Sequence, residues 1–137
     1  LLNVMQQKTK TLNIDHRIDF KGYVNHKNVI NYYKKISIFV AVSTRESFGV
    51  SVLEAAACQI PSITSNIGGL GEVNLHEKTG LVINANDPTE LAKSIIKLFN
   101  DNTLRELYGR NARERVKQSF NWNNNVNQMI DIYKKYI

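Results

Sequence analysis

The sequence predicts an α/β fold in which an open, mostly parallel sheet is flanked by helices. Three observations support this prediction. Short apolar strand candidates alternate with segments of helical periodicity. Residues 36–42 are almost continuously apolar, which is typical of a strand buried on both faces of a parallel sheet. Asp87 followed by Pro88 combines a helix N-cap with proline at the first helical position.

The predicted elements follow one another along the chain. Residues 17–24 alternate apolar and polar side chains with the period of a strand, and residues 26–35 have the pattern of a helix. After the buried strand, further strands are predicted at 61–64 and 81–83. Three helices complete the chain, and the last carries an apolar face composed of Trp122, Val126, Ile130 and Tyr133. In an open sheet of this kind, ligands bind beyond the carboxyl ends of the strands.

Composition narrows the class of protein. Of the 137 residues, 42% are hydrophobic and 22% charged, as in ordinary globular domains. No apolar run approaches the roughly 20 residues that span a bilayer, and no signal peptide is evident, so we expect a cytoplasmic protein. The single cysteine, Cys58, cannot form an internal disulfide, and we interpret it as a helix packing residue.

The formal charge of +6 suits nucleic acid, an anionic membrane surface or a phosphorylated ligand equally well. The densest basic stretch alternates with apolar residues at helical spacing, which favours a solvated helix face; it comprises Arg105, Arg110, Arg113, Arg115 and Lys117. No nucleic-acid-binding signature accompanies this stretch, so we do not predict a nucleic-acid partner.

Residues 46–54, which read ESFGVSVLE, join the predicted buried strand to a helix. Gly49 permits close backbone approach, and the unpaired amides of the first helical turn can hold a diphosphate. Glu54 lies about one and a half turns into the helix and leans back toward its start. Because a carboxylate beside phosphate is repelled, Glu46 and Glu54 are better suited to accept hydrogen bonds from sugar hydroxyls. The pattern indicates a nucleotide-sugar site, with a capping Glu46 and a solvated Glu54 as the alternative.

The spacing of these glutamates, within STRESFGVSVLEAAACQIPSITSNIGGLGEV, resembles the donor-site signature of family 4 retaining glycosyltransferases of GT-B fold. Further matches in the same order are RIDFKGYV, FVAVSTRE, EKTGLVI and SFNW, so the resemblance covers essentially the whole chain. It implies a Rossmann-like parallel sheet with flanking helices, forming part of the C-terminal domain of a GT-B fold. It also implies a parent enzyme that transfers a sugar, with retention, from a nucleotide sugar, of which UDP-sugar is our first expectation.

The resemblance assigns a role to each candidate site residue. Glu46 is the catalytic candidate and would face the transferred sugar, whereas Glu54 would accept the ribose hydroxyls. The other donor-binding candidates are Phe48 and Gly49 at the sugar, Val50, Ser51 and Val52 at the diphosphate, Gly22 and Tyr23 at the base, and Gly68 and Gly69 at the far wall. A purely structural turn is the alternative for the last two glycines.

The family pattern also bears on metals and on two further positions. Family members generally need no metal, and no Asp-x-Asp motif occurs here, so we expect neither a metal nor another cofactor. Glu72 would brace the loop that contains the glycine pair. Gln59 stands where the family usually has glycine, which leaves the turn before Ile60 open to question.

The first residue is Leu1 rather than methionine, and the sequence there resembles the interior of an amphipathic helix, which predicts a cut piece. Residues 1–137 would then be an incomplete C-terminal domain, inactive alone, with the N-terminal domain and the first strands absent. In the resembled strand order 3-2-1-4-5-6, residues 17–24 form the third strand, and we expect it to close directly against residues 36–42. The resemblance leaves the acceptor undetermined; a saccharide, a lipid-linked saccharide or another compound would fit. It also leaves open a peripheral contact of the parent protein with the inner face of the membrane.

Two alternatives to a glycosyltransferase stay open at this point. One is a nucleotide-sugar epimerase of the same architecture, which normally lacks the spacing between Glu46 and Glu54. The other is a non-catalytic module that binds nucleotide or nucleic acid, motivated by the positive charge.

Overall fold

A computed structural model describes residues 1–136. Three strands form one parallel sheet in the order β1-β2-β3: β1 at Phe39–Ala41, β2 at Ser62–Ser65 and β3 at Gly80–Ile83. The helices of this part of the chain are α1 Leu2–Thr11, α2 His26–Tyr33, α3 Val50–Ala57, α4 Leu70–Val73, α5 Pro88–Asn100, α6 Asn102–Ser119 and α7 Trp122–Tyr133. Helices connect the parallel strands, so the predicted α/β, Rossmann-like fold class is confirmed.

The core lies around β2, the middle strand, all four residues of which are buried. Ile63 packs with Leu81 of β3 and, on the same side of the sheet, with Leu98 of α5 and Tyr108 of α6. The opposite side carries α3 and α4, where Val52 packs with further buried residues of α4. Two helical layers therefore cover the sheet, as two-face burial of a parallel sheet requires.

A buried side-chain amide ties α4 to the sheet. Asn74 follows α4 directly and is 2% exposed. Its Nδ2 group lies 3.1 Å from the carbonyl oxygen of Ser62 and 3.0 Å from that of Leu81, and its Oδ1 accepts the Thr79 hydroxyl at 3.0 Å. Since buried carbonyls that lack a donor cost roughly 1 to 3 kcal/mol each, this amide stabilises the β2–β3 pair and the position of α4 together.

Residues 17–24 do not form the predicted strand. A 3-10 turn at Asp15–Arg17 precedes an irregular segment that leads into α2. The expected closure against residues 36–42 is also wrong, because β1 pairs only with β2 among the described residues. Alternation stabilises a strand only where a neighbour supplies hydrogen bonds and a covering layer, whereas Ile18 and Phe20 remain more than a third exposed.

The strand at residues 36–42, predicted to be buried on both faces, is shorter and less buried than expected. The strand itself is Phe39–Ala41, and Val40 is 39% exposed. Position explains the difference, because β1 is an edge of this sheet rather than its centre. The strands predicted at 61–64 and 81–83 are confirmed as β2 and β3, each shifted or extended by one residue.

The predicted helices are confirmed, with boundaries that differ by a few residues. Asp87 caps α5 by accepting from the Glu90 amide at 2.8 Å, and Asp101 caps α6 by accepting from the Leu104 amide at 2.8 Å. The apolar face predicted for α7 is present in sequence, but no α7 residue is buried against the rest of the described chain. No helix within residues 1–136 has the length and the apolarity to cross a membrane.

The basic stretch of α6 is not simply a solvated face, because three of its arginines donate to backbone carbonyls of other helices. Arg105 donates to the carbonyls of Leu98 and Phe99, in the last turn of α5, both at 2.6 Å. Arg113 donates to the carbonyl of Ala57 at the end of α3, and Arg115 to a carbonyl of α4. These guanidinium groups satisfy carbonyls that helix ends leave without partners.

The turn after α3 explains why glycine would suit position 59. Gln59 has φ +62°, in the left-handed region, and its carbonyl is so close to α6 that a Cβ on Gly109 would lie 2.1 Å from it. The turn forms despite the glutamine, with the Ile60 amide donating to the carbonyl of Ala55 at 3.0 Å. Glutamine at position 59 therefore strains the backbone of this turn without changing its path.

We expect Gln59→Gly to raise the free energy of unfolding by about 1 kcal/mol, because glycine adopts the left-handed conformation without a Cβ penalty. Chemical denaturation of the full chain measures the change. Gln59→Ala is the matched control, since alanine keeps the Cβ and should give no gain. Equal stabilisation by both substitutions would contradict the strain at this turn.

Candidate functional site

The candidate site begins with the β1–α3 loop, residues 42–49, which ends at a glycine in a conformation that other residues avoid. Gly49 has φ +91° and ψ +48° and is the residue that precedes α3. A Cβ there would lie 2.6 Å from Cδ2 of Leu70 in α4. Glycine is therefore required both by the backbone angle and by the close packing of α4 against the start of α3.

A second loop, the glycine loop at residues 66–69, contacts the β1–α3 loop through backbone atoms. A Cβ on Gly68, which has φ +55°, would lie 1.8 Å from the carbonyl oxygen of Glu46, and a Cβ on Gly69 would lie 2.8 Å from Cα of Phe48. The Gly69 amide donates to the carbonyl of Ser47 at 3.1 Å. Both glycines thus have a structural role, and contact with a ligand remains a prediction for them.

Side chains hold the β1–α3 loop from two further directions. The Ser65 hydroxyl, at the end of β2, donates to the carbonyl of Ser43 at 2.6 Å. The ring of Phe48 packs edge-on against Phe120, with 6.0 Å between the ring centroids. The Arg115 guanidinium in turn lies 5.6 Å from the centroid of the Phe120 ring. The Phe48 ring is thus engaged with the protein, and the contact of the Phe48 amide with a donor stays a prediction.

The first turn of α3 offers fewer free amides than expected. The Val52 amide donates to the Gly49 carbonyl at 3.0 Å, and the Val52 side chain is 2% exposed. The Val52 amide is thus engaged within the turn, and the contact of Val52 with a diphosphate stays a prediction. The amides of Val50 and Ser51 precede it in the turn and are the donors that helix geometry leaves without intrahelical partners.

The two glutamates occupy different surroundings. Glu46 is half-buried in the β1–α3 loop, and its Oε1 accepts a hydrogen bond from the adjacent Ser47 amide at 3.1 Å. Glu54 lies in α3, and its Oε2 accepts the hydroxyl of Tyr33 at 3.0 Å while its Oε1 lies 3.6 Å from Nδ1 of His26. Burial, followed by the hydrogen bond to Glu54, raises the pKa of Tyr33 above its ordinary value.

Sequence reasoning missed the two α2 residues that flank Glu54. His26 and Tyr33 are seven positions apart on α2 and therefore share one helix face, which was the available signal. With Glu54, Cys58 and three apolar neighbours they line a cavity of about 220 Å³. The predicted packing role of Cys58 is confirmed, since it packs against the buried cluster that contains Tyr33.

The remaining predicted residues are less closely tied to the site. Tyr23 is 91% exposed, and a Cβ on Gly22 would meet nothing within 4 Å. Their contact with a base stays a prediction. The Glu72 amide donates to the Gly69 carbonyl at 3.0 Å within the first turn of α4, and bracing of the glycine loop by this residue stays a prediction.

Other features of the described residues do not point to a different site. A larger polar cavity of about 470 Å³ lies beside the glycine loop, between Asn66 and Glu90. Two of its polar side chains are engaged with backbone: His76 accepts from the Val82 amide at 3.0 Å and Glu90 from the Asn84 amide at 2.9 Å. Within residues 1–136, no three His, Cys, Asp or Glu side chains are grouped so that they could hold a metal ion.

Comparison with known proteins identifies a family that the chain matches. Residues 2–115 match the family model of glycosyl transferases group 1. The chain is 35% identical over 127 residues to N-acetyl-alpha-D-glucosaminyl L-malate synthase of Bacillus anthracis, covering 93% of this chain and 33% of that protein. It therefore spans about a third of the length of such relatives.

Solved structures show the same fold. Sucrose-phosphate synthase of Thermosynechococcus elongatus superposes with a TM-score of 0.88 and 32% identity, over 96% of this chain and 33% of that one. HepE of Anabaena, in complex with UDP, gives a TM-score of 0.88 with 23% identity, over 99% of this chain and 37% of that one.

Gly68→Ala should destabilise the chain by roughly 3 kcal/mol, because the added methyl group collides with the Glu46 carbonyl as well as straining the backbone. Gly22→Ala is the matched control, with a similar φ of +62° but open space around its Cβ, and should cost only about 1 kcal/mol. Urea denaturation measures both. If the two substitutions cost the same, the contact between the loops is not what Gly68 is required for.

Proposed function

The chain belongs to the glycosyl transferases of group 1, and on that premise we propose that the protein containing it transfers a sugar from a nucleotide-sugar donor to an acceptor. In this proposal the chain holds the donor and the anomeric configuration of the sugar is retained. The observation that carries the proposal is the placement of Glu46 and Glu54 on either side of the α3 N-terminus, with free first-turn amides between them.

The α3 N-terminus suits a diphosphate. The amides of Val50 and Ser51 are free to donate, both residues are exposed, and the helix dipole adds partial positive charge at the same place. Negative charge that develops on a leaving diphosphate is stabilised by such donors. We therefore assign the diphosphate to Val50 and Ser51 rather than to Val52.

The carboxylates suit the sugars on either side of that diphosphate. The hydrogen bond from the Tyr33 hydroxyl uses only one of the acceptor positions of the Glu54 carboxylate. Glu54 can therefore also accept hydrogen bonds from the ribose hydroxyls. Glu46 lies in the loop before the helix, where it would face the transferred sugar together with the amides of Phe48 and Gly49. Glu46 is the catalytic candidate in this assignment.

The nucleotide that we propose first is UDP, which is bound in the HepE structure of the same fold. The comparisons favour neither an epimerase nor a nucleic-acid-binding module. Three of the four arginines of α6 are engaged with helix carbonyls rather than displayed as a continuous basic face. We further propose that the protein is cytoplasmic, with peripheral contact at the inner membrane face, and that its acceptor is a saccharide or a lipid-linked saccharide.

Replacement of the two glutamates should separate binding from turnover. Glu54→Ala in the full-length protein should weaken UDP binding by roughly 1 to 3 kcal/mol, because charge-assisted hydrogen bonds to the ribose are lost. Glu46→Ala should leave UDP affinity within about twofold and reduce transfer from the nucleotide sugar. Titration calorimetry and a transfer assay measure the two effects, with each variant as the control for the other. Unchanged UDP affinity in Glu54→Ala would remove the ribose assignment.

Transfer by the full-length protein should persist in EDTA, since the proposed site neutralises the diphosphate with helix amides rather than with a metal ion. The measurement compares initial rates with and without EDTA after extensive dialysis. Loss of activity on chelation, with recovery on addition of manganese, would show that a metal takes part.

A further inference from the structure

We propose that Tyr33 is a positioning residue for donor binding, which holds the Glu54 carboxylate in the orientation that accepts the ribose hydroxyls; the inference rests on the proposed function. Tyr33 lies at the end of α2 and Glu54 in α3, so the hydrogen bond between them joins two helices. No other side-chain hydrogen bond to the Glu54 carboxylate is found among the described residues.

The phenol is itself fixed in place. Tyr33 is 8% exposed, and its ring packs edge-on against Phe39 of β1 with 5.8 Å between the centroids. Its hydroxyl lies 3.0 Å from Oε2 of Glu54 and 3.2 Å from the carbonyl of Ser51. A phenol has one hydrogen to donate, and the shorter contact to an ionised acceptor takes it. The hydroxyl is therefore a rigid donor directed at one oxygen of Glu54.

The consequence for Glu54 is the loss of alternative rotamers. A glutamate side chain has three rotatable bonds, and its ordering costs free energy that must otherwise be supplied when the ligand binds. With Oε2 held by Tyr33, Oε1 is left toward the cavity that His26 and Cys58 also line. A carboxylate that is ordered in advance grips a pair of vicinal hydroxyls more tightly than a mobile one.

A merely structural tyrosine would behave differently. If Tyr33 only packs α2 against β1, removal of its hydroxyl affects binding of every nucleotide equally, through stability. If it acts through Glu54, the loss depends on whether the ligand carries the hydroxyls that Glu54 accepts. The discriminating quantity is therefore the preference for a ribonucleotide over its deoxy counterpart.

The test measures dissociation constants of UDP and 2′-deoxy-UDP for the full-length protein and for Tyr33→Phe, which keeps the ring and its packing. We expect the original protein to prefer UDP by about tenfold. In Tyr33→Phe, UDP binding should weaken about fivefold and 2′-deoxy-UDP binding less than about twofold, so that the preference falls. GDP and 2′-deoxy-GDP are measured in parallel, and the pair that binds more tightly is used.

Two further variants complete the design. Tyr32→Phe removes the neighbouring hydroxyl, which makes no contact with Glu54, and should leave the preference unchanged. Glu54→Asp keeps the charge but withdraws the carboxylate from both Tyr33 and the ribose. It should lower the preference, which checks the ribose assignment on which the role of Tyr33 rests.

The outcomes separate the two levels of the proposal. Equal weakening of both ligands in Tyr33→Phe overturns the positioning role while the proposed function stands. A full preference retained in Glu54→Asp removes the ribose assignment, and with it the role of Tyr33. Failure of the original protein to bind any of the four nucleotides overturns the proposed function, and the positioning role with it.

Discussion

Backbone-to-backbone contact between the glycine loop and the β1–α3 loop is the constraint on which the rest of the candidate site depends. At Gly68 and Gly69 there is no room for a side chain, so the carbonyl of Glu46 and the Cα of Phe48 can approach closely. That approach sets where Glu46 lies relative to the first turn of α3. It also brings α4 over Gly49, where Leu70 fills the space that a Cβ would take. The geometry of the site is thus determined by missing side chains as much as by those that are present.

The same contact explains why the site is supported by the core rather than by the surface. α4 follows the glycine loop directly, and its far end is held by the Asn74 amide, which bonds to β2 and β3. A shift of the glycine loop would therefore have to break buried hydrogen bonds, which cost more than surface ones when left unpaired. The exposed start of α3 is therefore supported by the glycine loop and α4, which buried hydrogen bonds hold in place.

Sequence periodicity predicted the elements that depend on local signals and failed where partners were required. Asp87 and Pro88 mark the start of α5 by themselves, and the glycine pair with the spaced glutamates indicates the candidate site. Residues 17–24 have the same alternation as a strand, but alternation does not provide a neighbour to pair with. The hydrogen bond from Tyr33 to Glu54 spans 21 positions and depends on where the fold places α2 relative to α3. The sequence pattern does not predict that arrangement, although the spacing of His26 and Tyr33 does place them on one face of α2.

The arginines of α6 have a consequence for how this protein can be altered. Arg105 reaches the carbonyls of Leu98 and Phe99 together, and its other terminal nitrogen lies 2.8 Å from Oδ1 of Asn102. A lysine at this position would conserve the net charge but would present a single ammonium nitrogen in place of the planar guanidinium group. Exchange of Arg105 for lysine would therefore loosen the junction between α5 and α6. Exchange of a solvated lysine for arginine elsewhere on the surface would have no such effect. Net charge is a poor guide to which cations of this chain are dispensable.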